Sequence, residues 1–366
     1  MDSENIREIR IDPIVPTQSV LISTARGNRP RQIEPTTPRD MRHYAETCPF
    51  CRGNEHLTPP ATFQTPSEQQ WDIRIVENLY PILDEDPLLP GPPPGMQQAW
   101  AGYGHHDVII DHSVHGIAVH EMSEQHLALL FAVYRDRTQF LYNNDARIKY
   151  ILVFKNFGKA AGASIAHTHS QLVAMPIIPH NVQDEVQGSQ DFYQTNGTCV
   201  FCTLIDEALP LETTTYRRST GEHCEDYQTV NYVVEQGEKC IAIKPFASRY
   251  EWEVHILPIK HQSNFLKVTD AELDDLARVL KRTMARLNAV VGETQYNYFL
   301  HTVPHEKNSD AFTKSYHWHI EICPRTSIAS GFEMGSGLIV NTVSPEKAAS
   351  ELRQALLKDE LDCAAK

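Results

Sequence analysis

The sequence HTHSQ at residues 167–171 places two histidines and a glutamine at alternate positions. Alternate side chains of a β-strand point to the same face of a sheet. Imidazole and amide groups are costly to bury unless they find hydrogen-bond or metal partners. The spacing therefore predicts that His167, His169 and Gln171 face a metal ion or a reacting group.

Two Cys-x-x-Cys pairs, CPFC and CVFC, stand in a chain that begins with charged residues where an export signal needs an apolar core. This combination favours metal binding over disulfides. Each pair is followed by two distant histidines, which gives two sets of four: Cys48, Cys51, His115 and His167, then Cys199, Cys202, His261 and His317. Thiolates and imidazoles in fours suit tetrahedral zinc and leave no open position for water. Neighbouring histidines compete for a place in these sets: His112 and His120 in the first, His255 and His319 in the second.

If His167 binds a metal, His169 lies on the same face with no metal of its own. A neutral imidazole is a good nucleophile toward phosphorus when its other ring nitrogen is tied to a backbone carbonyl. Gln171 is placed to donate its amide N–H to a phosphoryl oxygen. The glycine-rich segment at 156–164 offers backbone N–H groups and a lysine, as anion sites do, and Ser164 is a further phosphate donor.

The landmarks around HTHSQ occur twice along the chain. The second cysteine of each pair is followed after 64 and 59 residues by a histidine, and that histidine after 52 and 56 residues by the next. Helix starts follow at Ser123 and at Thr269, where Glu272 completes a capping box. Strands rich in β-branched or aromatic residues follow at 150–156 and 296–302. Agreement of spacing, element type and residue type indicates an internal duplication.

The second copy of the motif is HWHIE at 317–321, and it ends in Glu321. A negative charge at this position repels phosphate. We therefore expect chemistry in the first copy alone.

The fold predicted from this duplication is α+β, a tandem pair of units with antiparallel sheets and helices packed on one side. We place the first domain at 1–185, with the nucleophile and one zinc site, and the second at 186–366, with the other zinc site. The polar stretch at 179–198 is expected to connect them, and GPPPG at 91–95 is expected to be a loop.

Composition excludes several classes of protein. The 366 residues carry a formal net charge of −14, and no basic stripe is present that could neutralise a nucleic-acid backbone. No apolar stretch approaches the roughly 18 residues of a membrane span. A small anionic substrate is compatible with this composition, because a few arginines in one cleft can outweigh a distant negative balance. We expect a cytoplasmic protein without nucleic-acid or membrane partners.

Seven segments, taken in order, resemble the histidine triad superfamily and within it the galactose-1-phosphate uridylyltransferase family. They are ISTARGNRP, CPFC, IRIVENLYPIL, DHSVH, GASIAHTHSQ, PFASRYEWEVHILPIKH and GFEMGSGLIVN. The resemblance covers nearly the whole chain and implies duplicated histidine triad domains. It implies that His169 becomes covalently nucleotidylated and that His167 is a zinc ligand.

The resemblance also implies roles for residues that spacing alone does not single out. Gln171, Ser164 and Asn156 would contact the transferred phosphoryl group, and Arg26 and Arg29 the substrate phosphates. Further positions would bind the rest of the substrate: Asn78 the nucleotide, and Phe332 and Glu333 a hexose pocket completed across a homodimer.

The sequence departs from typical uridylyltransferases at Thr168, where those enzymes have proline, and at Ser170. These departures, and the second Cys/His set, bring it closer to the plant-type branch that includes ADP-glucose phosphorylase. The predicted reaction moves a nucleotidyl group from a nucleotide sugar through His169 to a sugar 1-phosphate or phosphate. We rank a UDP-glucose:hexose-1-phosphate uridylyltransferase first and an ADP-glucose phosphorylase second. A dinucleoside polyphosphate hydrolase and a zinc-stabilised, non-enzymatic nucleotide-binding protein are more remote alternatives.

Overall fold

The structure, a computed structural model, describes residues 6–28, 38–87, 95–96, 98–209, 214–218, 226–305, 310–355 and 357. The strands are Arg7–Ile11 (β1), Ser19–Ser23 (β2), Ala61–Thr65 (β3), Ile73–Glu77 (β4), His105–Ile110 (β5), Tyr150–Phe157 (β6), His169–Met175 (β7), Thr214–Arg218 (β8), Asp226–Val230 (β9), Val233–Gln236 (β10), Cys240–Ile243 (β11), Val254–Pro258 (β12), Tyr296–His301 (β13), His319–Pro324 (β14) and Ile339–Asn341 (β15). The helices are Glu124–Asn144 (α1), His180–Asn196 (α2), Val200–Ala208 (α3), Asp270–Val291 (α4), Asp310–Ser315 (α5), Gly331–Ser336 (α6) and Pro345–Gln354 (α7).

One ten-stranded sheet runs through both halves of the chain, in the order β10-β11-β12-β14-β13-β6-β7-β5-β4-β3. The halves join where β6 pairs antiparallel with β13. The predicted α+β duplication with antiparallel strands is confirmed. The sheets of the two units form one continuous sheet because β6, the edge strand of the first unit, pairs with β13, the edge strand of the second. A smaller sheet, β1-β2-β15, pairs a strand near the C-terminus with two near the N-terminus.

The long helices α1 and α4 pack side by side on one face of the large sheet. Their N-termini follow the sequence prediction: Ser123 accepts a hydrogen bond from the backbone N–H of His126, and Thr269 and Glu272 form the capping box. Each helix places large apolar side chains on the sheet, and full burial of such a side chain contributes about 1.5–3 kcal/mol. This face therefore holds the main core.

The opposite face of the sheet is covered by different elements in the two halves. In the second half, α2 and α3 pack on it. In the first half, the CPFC segment packs on it through Cys48, Phe50 and Cys51, against Trp71 and Val108. The coverage is incomplete near the junction of the halves, and the site described below lies there.

The connection between the halves is helical. The stretch at 179–198 does link them, but it forms α2 because Val182, Val186 and Ser189 are buried along one side and Gly197 ends the helix with a left-handed φ of 72°. The proposed boundary at 185/186 falls inside this helix and remains a prediction. Most of GPPPG lies outside the described residues. Among the helices described, none is long and apolar enough to cross a membrane.

Candidate active site

The histidine strand β7 has two chemically different faces. Leu172 and Ala174 belong to the core under α1 and α4, and Ser170 bonds the Tyr134 hydroxyl of α1 at 2.6 Å. Since side chains alternate along a strand, His169 and Gln171 point to the opposite, incompletely covered face. The alternation inferred from HTHSQ is present for His169 and Gln171, whereas His167 lies in the bend just before β7.

The first Cys/His set converges into one buried cluster. The potential ligand atoms of Cys48, Cys51, His115 and His167 all lie within 4.8 Å of one another. The Sγ to Nδ1 distances are 3.4 to 3.7 Å. Tetrahedral zinc, with bonds of about 2.3 Å to sulfur and about 2.0 Å to nitrogen, gives separations of about 3.5 Å. The donor set therefore fits a tetrahedral metal ion.

Outer hydrogen bonds orient both histidines of this first set. His167 Nε2 lies 2.7 Å from the backbone carbonyl of His112, and His115 Nε2 lies 3.2 Å from Asp40 Oδ2. A proton held on Nε2 leaves the Nδ1 lone pair for a metal. The cluster contains His115, while the competing His112 contributes a carbonyl rather than its ring.

The second set also converges, at a position where Cys202 is half-buried and His261 is exposed. Cys199 Sγ is 3.4 Å from His317 Nδ1, and Cys202 Sγ is 3.3 Å from His261 Nδ1. His261 Nε2 is held by the Thr313 carbonyl at 2.7 Å. The competing histidines, His255 and His319, belong to separate groups of carboxylates and imidazoles. Two Cys/His clusters able to hold a metal ion are thus present in the described residues.

His169 is buried and holds one defined tautomer. Its Nδ1 lies 2.8 Å from the backbone carbonyl of His167, so Nδ1 carries the proton and the Nε2 lone pair is left for another atom. Burial lowers the pKa of His169, which keeps the ring neutral. The ring packs edge-on to Phe50 at 5.2 Å. A metal ion bound by His167 would therefore hold the His167 carbonyl in place, and this carbonyl determines the tautomer of His169.

A buried charged group lies directly beneath His169, on the α1 side of the strand. Lys155 Nζ donates to Asp111 Oδ2 at 2.5 Å, to Thr168 Oγ1 at 2.7 Å and to the His169 carbonyl at 3.1 Å. Ser170 Oγ donates to Asp111 at 3.0 Å. Thr168 and Ser170, the two departures from the usual motif, are thus the residues that satisfy this ion pair.

Neutral amides lie on the same face of the sheet as His169. Gln171 Oε1 lies 2.9 Å from His106 Nε2, and Asn78 Nδ2 lies 3.1 Å from the same nitrogen. On the other side, Asn297 of β13 donates its amide to Asn156 Oδ1 at 2.8 Å. Gln171, Asn78 and Asn156 were singled out from the sequence, whereas His106 and Asn297 were not.

The remaining predicted residues make fewer contacts with this group. Ser164 is exposed and lines a cavity of about 600 Å³ on the α4 side of the glycine-rich loop. Arg26 is exposed and electrostatically close to Glu333, whose pKa is held below its usual range by its own helix cap at Ser330 and by Arg26. Phe332 is exposed on α6. Arg29 lies outside the described residues.

Comparisons with known proteins agree with this architecture. The model for the N-terminal domain of galactose-1-phosphate uridyl transferase matches residues 1–179, and the HIT domain model matches residues 228–328. The ADP-glucose phosphorylase of Arabidopsis thaliana is 30% identical over 353 residues, 96% of this chain and 93% of that protein. The galactose-1-phosphate uridylyltransferase of Thermotoga maritima is 26% identical over 358 residues, 95% of this chain and 98% of that protein.

A solved structure extends the agreement to three dimensions. The crystal structure of the Arabidopsis thaliana ADP-glucose phosphorylase with bound ADP-glucose superposes with a TM-score of 0.79 at 29% identity, covering 96% of this chain and all of that chain. From the full-length identity and the two matching domain models, the chain belongs to the galactose-1-phosphate uridylyltransferase family of nucleotidyltransferases, built from duplicated histidine triad units.

Proposed function

We propose that this protein transfers a nucleoside monophosphate between a nucleotide sugar and a phosphate-bearing acceptor through a covalent intermediate on His169. The observation that carries the proposal is the neutral His169 ring, with Nδ1 bonded to the His167 carbonyl. That arrangement leaves Nε2 as the nucleophile.

The reaction takes two balanced displacements. In the first, the His169 Nε2 lone pair forms a bond to the α-phosphorus, and the bond from that phosphorus to the bridging oxygen breaks, so that sugar 1-phosphate leaves with the electron pair. In the second, an acceptor phosphate oxygen attacks the same phosphorus and the phosphorus–nitrogen bond breaks, which restores the imidazole. Two in-line steps return the original configuration at phosphorus.

The surrounding residues bind and stabilise charge during these steps. Gln171, Asn78 and Asn156 offer amide N–H groups to the phosphoryl oxygens, and Ser164 and the glycine-rich loop bind the neighbouring phosphate. Both Cys/His clusters hold zinc in this proposal, and a bound zinc ion supplies structural anchoring rather than a reacting water. The first cluster anchors the strand that carries His169.

For the substrates, we place ADP-glucose and inorganic phosphate first, and UDP-glucose with galactose 1-phosphate second. The sequence alone ranked these the other way. The preference now rests on the greater identity to ADP-glucose phosphorylase than to the Thermotoga maritima uridylyltransferase, 30% against 26%, and on Thr168, Ser170 and the second Cys/His cluster.

The sugar end of the site is proposed to form in a homodimer. Phe332 and Met334 on α6 are 50% and 80% exposed, and Ile328 just before them is 91% exposed. Large exposed apolar side chains close together are typical of an interaction surface. In this proposal Phe332 and Glu333 line the partner's hexose pocket, and Arg26 and Arg29 bind substrate phosphates. We also propose a cytoplasmic location with no nucleic-acid partner.

The test is to incubate the protein with ADP-glucose or UDP-glucose and measure its intact mass. An adenylyl or uridylyl adduct that acid removes supports the proposal and names the base. Release of the group by phosphate or by galactose 1-phosphate identifies the acceptor. A protein that binds either nucleotide sugar without forming an adduct is a binding protein, and the proposal then fails.

A further inference from the structure

A row of polar side chains crosses the open face of the sheet beside His169. Asn78 follows β4, His106 lies on β5, and Gln171 lies on β7. All three are polar groups with more than one possible hydrogen-bonding arrangement: each amide can turn over, and the imidazole has two tautomers. Which atoms face the substrate therefore depends on how the whole row is fixed.

A backbone N–H group, which cannot reverse its donor and acceptor, fixes the tautomer of His106. The N–H of Ile82 donates to His106 Nδ1 at 3.2 Å. Burial lowers the pKa of His106, so the ring is neutral and has one proton. Because Nδ1 accepts, that proton lies on Nε2.

The tautomer of His106 then decides the orientation of Gln171. His106 Nε2–H faces Gln171 Oε1 at 2.9 Å and donates to it. If Gln171 were turned over, its amide N–H would meet the imidazole N–H, donor against donor. The Gln171 oxygen is therefore held by His106, and its NH2 group is left to donate elsewhere.

Asn78 is oriented by a different group. Its Oδ1 accepts the backbone N–H of Tyr80 at 2.9 Å. Its Nδ2 lies 3.1 Å from His106 Nε2 and would favour an unprotonated nitrogen there, but the Ile82 N–H on Nδ1 places the ring proton on Nε2, which suits the Gln171 oxygen. The tautomer of His106 therefore fixes Gln171 and does not fix Asn78.

We propose that His106 is a positioning residue for nucleotidyl transfer: it holds the Gln171 oxygen, so that the Gln171 NH2 group is directed toward the reacting phosphoryl group. This inference rests on the proposed function. The Gln171 amide is then a fixed donor for charge that develops on the phosphoryl oxygens. Donors already oriented before reaction stabilise a transition state more than donors that must reorient.

Two substitutions separate this role from simple packing. His106→Asn reaches only the Nδ1 position, so it keeps the acceptor for Ile82 N–H and loses the donor to Gln171. His106→Gln extends to the Nε2 position and keeps that donor. The two variants differ by one methylene group and both are polar, which matches them for folding. His180→Asn, on the exposed start of α2, is the control for the assay.

The measurement is the rate of adduct formation in a single turnover with ADP-glucose and with UDP-glucose. We expect His106→Asn to be at least about tenfold slower than wild type, since removal of one oxyanion-hole donor costs about 10²–10³ in rate and this substitution frees the donor rather than removing it. His106→Gln should recover most of that rate, and His180→Asn should match wild type. Affinity for the nucleotide sugar, measured in a His169→Asn background, should change less than the rate does.

A double-mutant cycle with Gln171→Ala identifies the pathway. If His106 acts through Gln171, His106→Asn adds little to Gln171→Ala. Equal rates for His106→Asn and His106→Gln, or effects that multiply in the double variant, would overturn the inference. Absence of an adduct in the wild type would overturn the proposed function instead, so the two failures are distinguishable.

Discussion

The two histidine strands, β7 and β14, share a backbone arrangement and differ in what their upper faces carry. Aligning HTHSQ with HWHIE matches His169 with His319 and Gln171 with Glu321. On the face that carries His169, the polar side chains are the neutral groups Gln171, His106 and Asn156. Around His319 they are charged: Glu321 pairs with Arg249 and lies 3.6 Å from His319.

The charged face of the second strand is closed by partners from α2 and β13. Glu185 lies 3.0 Å from His301 Nδ1 and accepts the Tyr316 hydroxyl at 2.8 Å. Glu185, His301 and Glu321 are all buried. These groups satisfy one another, and no phosphate could enter without displacing them.

The lower faces of the two strands are reversed in polarity. Lys155 is paired in register with Ser170, and Leu300 takes the same position opposite Ile320. Thr168 corresponds in the same way to the fully buried Trp318. The first half therefore buries an ion pair beneath the strand and leaves neutral donors above it, whereas the second half is apolar beneath and ionic above. The two halves therefore share a fold, and the placement of charged residues distinguishes the proposed reactive strand β7 from the structural strand β14.

The largest expected effect comes from removing the matched histidines one at a time. His169→Asn should abolish the nucleotidyl adduct, because it removes the nucleophilic nitrogen. His319→Asn should form the adduct at close to the wild-type rate and unfold at a lower temperature, because His319 contacts Glu185 and Glu321 in the interior. Intact mass and thermal unfolding measure the two properties. An adduct that persists in His169→Asn would place the nucleophile elsewhere.

Matched cysteine substitutions should separate the two metal clusters. Cys51→Ser and Cys202→Ser should each lower the metal content, measured by native mass spectrometry, from two ions per chain to one. Both should reduce thermal stability, because closed sites contribute folding free energy. Loss of the adduct is expected in Cys51→Ser alone, since only that cluster fixes the His167 carbonyl bonded to His169. A Cys202→Ser protein that loses the adduct would contradict this division.

The sequence was most informative where chemistry is encoded by spacing within one strand or one helix turn. The Cys-x-x-Cys pairs, the alternation in HTHSQ and the capping box at Thr269 are local patterns with direct physical meaning, and the structure contains each of them. The distant histidines of the two Cys/His sets could be identified because their spacing from the cysteines is similar in both halves of the chain.

Residues fixed by strand pairing were missed. Asp111 reaches Lys155 only because β5, β7 and β6 lie side by side, and 44 residues separate the pair. His106 was absent from the prediction because nothing in GHHDV shows that one histidine faces Gln171, 65 residues away. The lysine inside the otherwise apolar YILVF run is a weak sequence signal of a buried charge that needs an acidic partner.

The third prediction concerns the buried face of β7, where a substitution can give the first half the apolar side chain found in the second half. Lys155→Leu introduces the residue type of Leu300 and leaves Asp111 buried without its cation. Breaking a buried ion pair from one side costs about 3–5 kcal/mol, so the denaturation midpoint should fall accordingly. Adding Asp111→Asn should recover part of the loss, because the unpaired charge is then gone. If Lys155→Leu were as stable as wild type, the ion pair would have no structural role.

The smallest effect is expected from copying the first half onto the second, with Glu321→Gln. Arg249 then keeps Glu253, whose carboxylate lies 2.9 Å away, but loses its second partner. We expect a loss of about 1–3 kcal/mol near pH 7. No adduct should form on His319, because Glu185 and Arg249 still close that face.

The pH dependence of this loss follows from the charge on Glu321. Burial alone would raise the pKa of Glu321, but Arg249 and His255 outweigh it and hold the pKa well below the usual range. A carboxylate with a depressed folded pKa contributes stability above its unfolded pKa of about 4.3, and this contribution is lost as pH falls toward the folded value. The gap in unfolding free energy between wild type and Glu321→Gln should therefore be constant near neutral pH and narrow below about pH 4.3. Protonation of the cysteine ligands occurs in both proteins, so it cancels in the difference between their unfolding free energies. If this difference stayed constant down to acid unfolding, Glu321 would not be ionised in the folded protein.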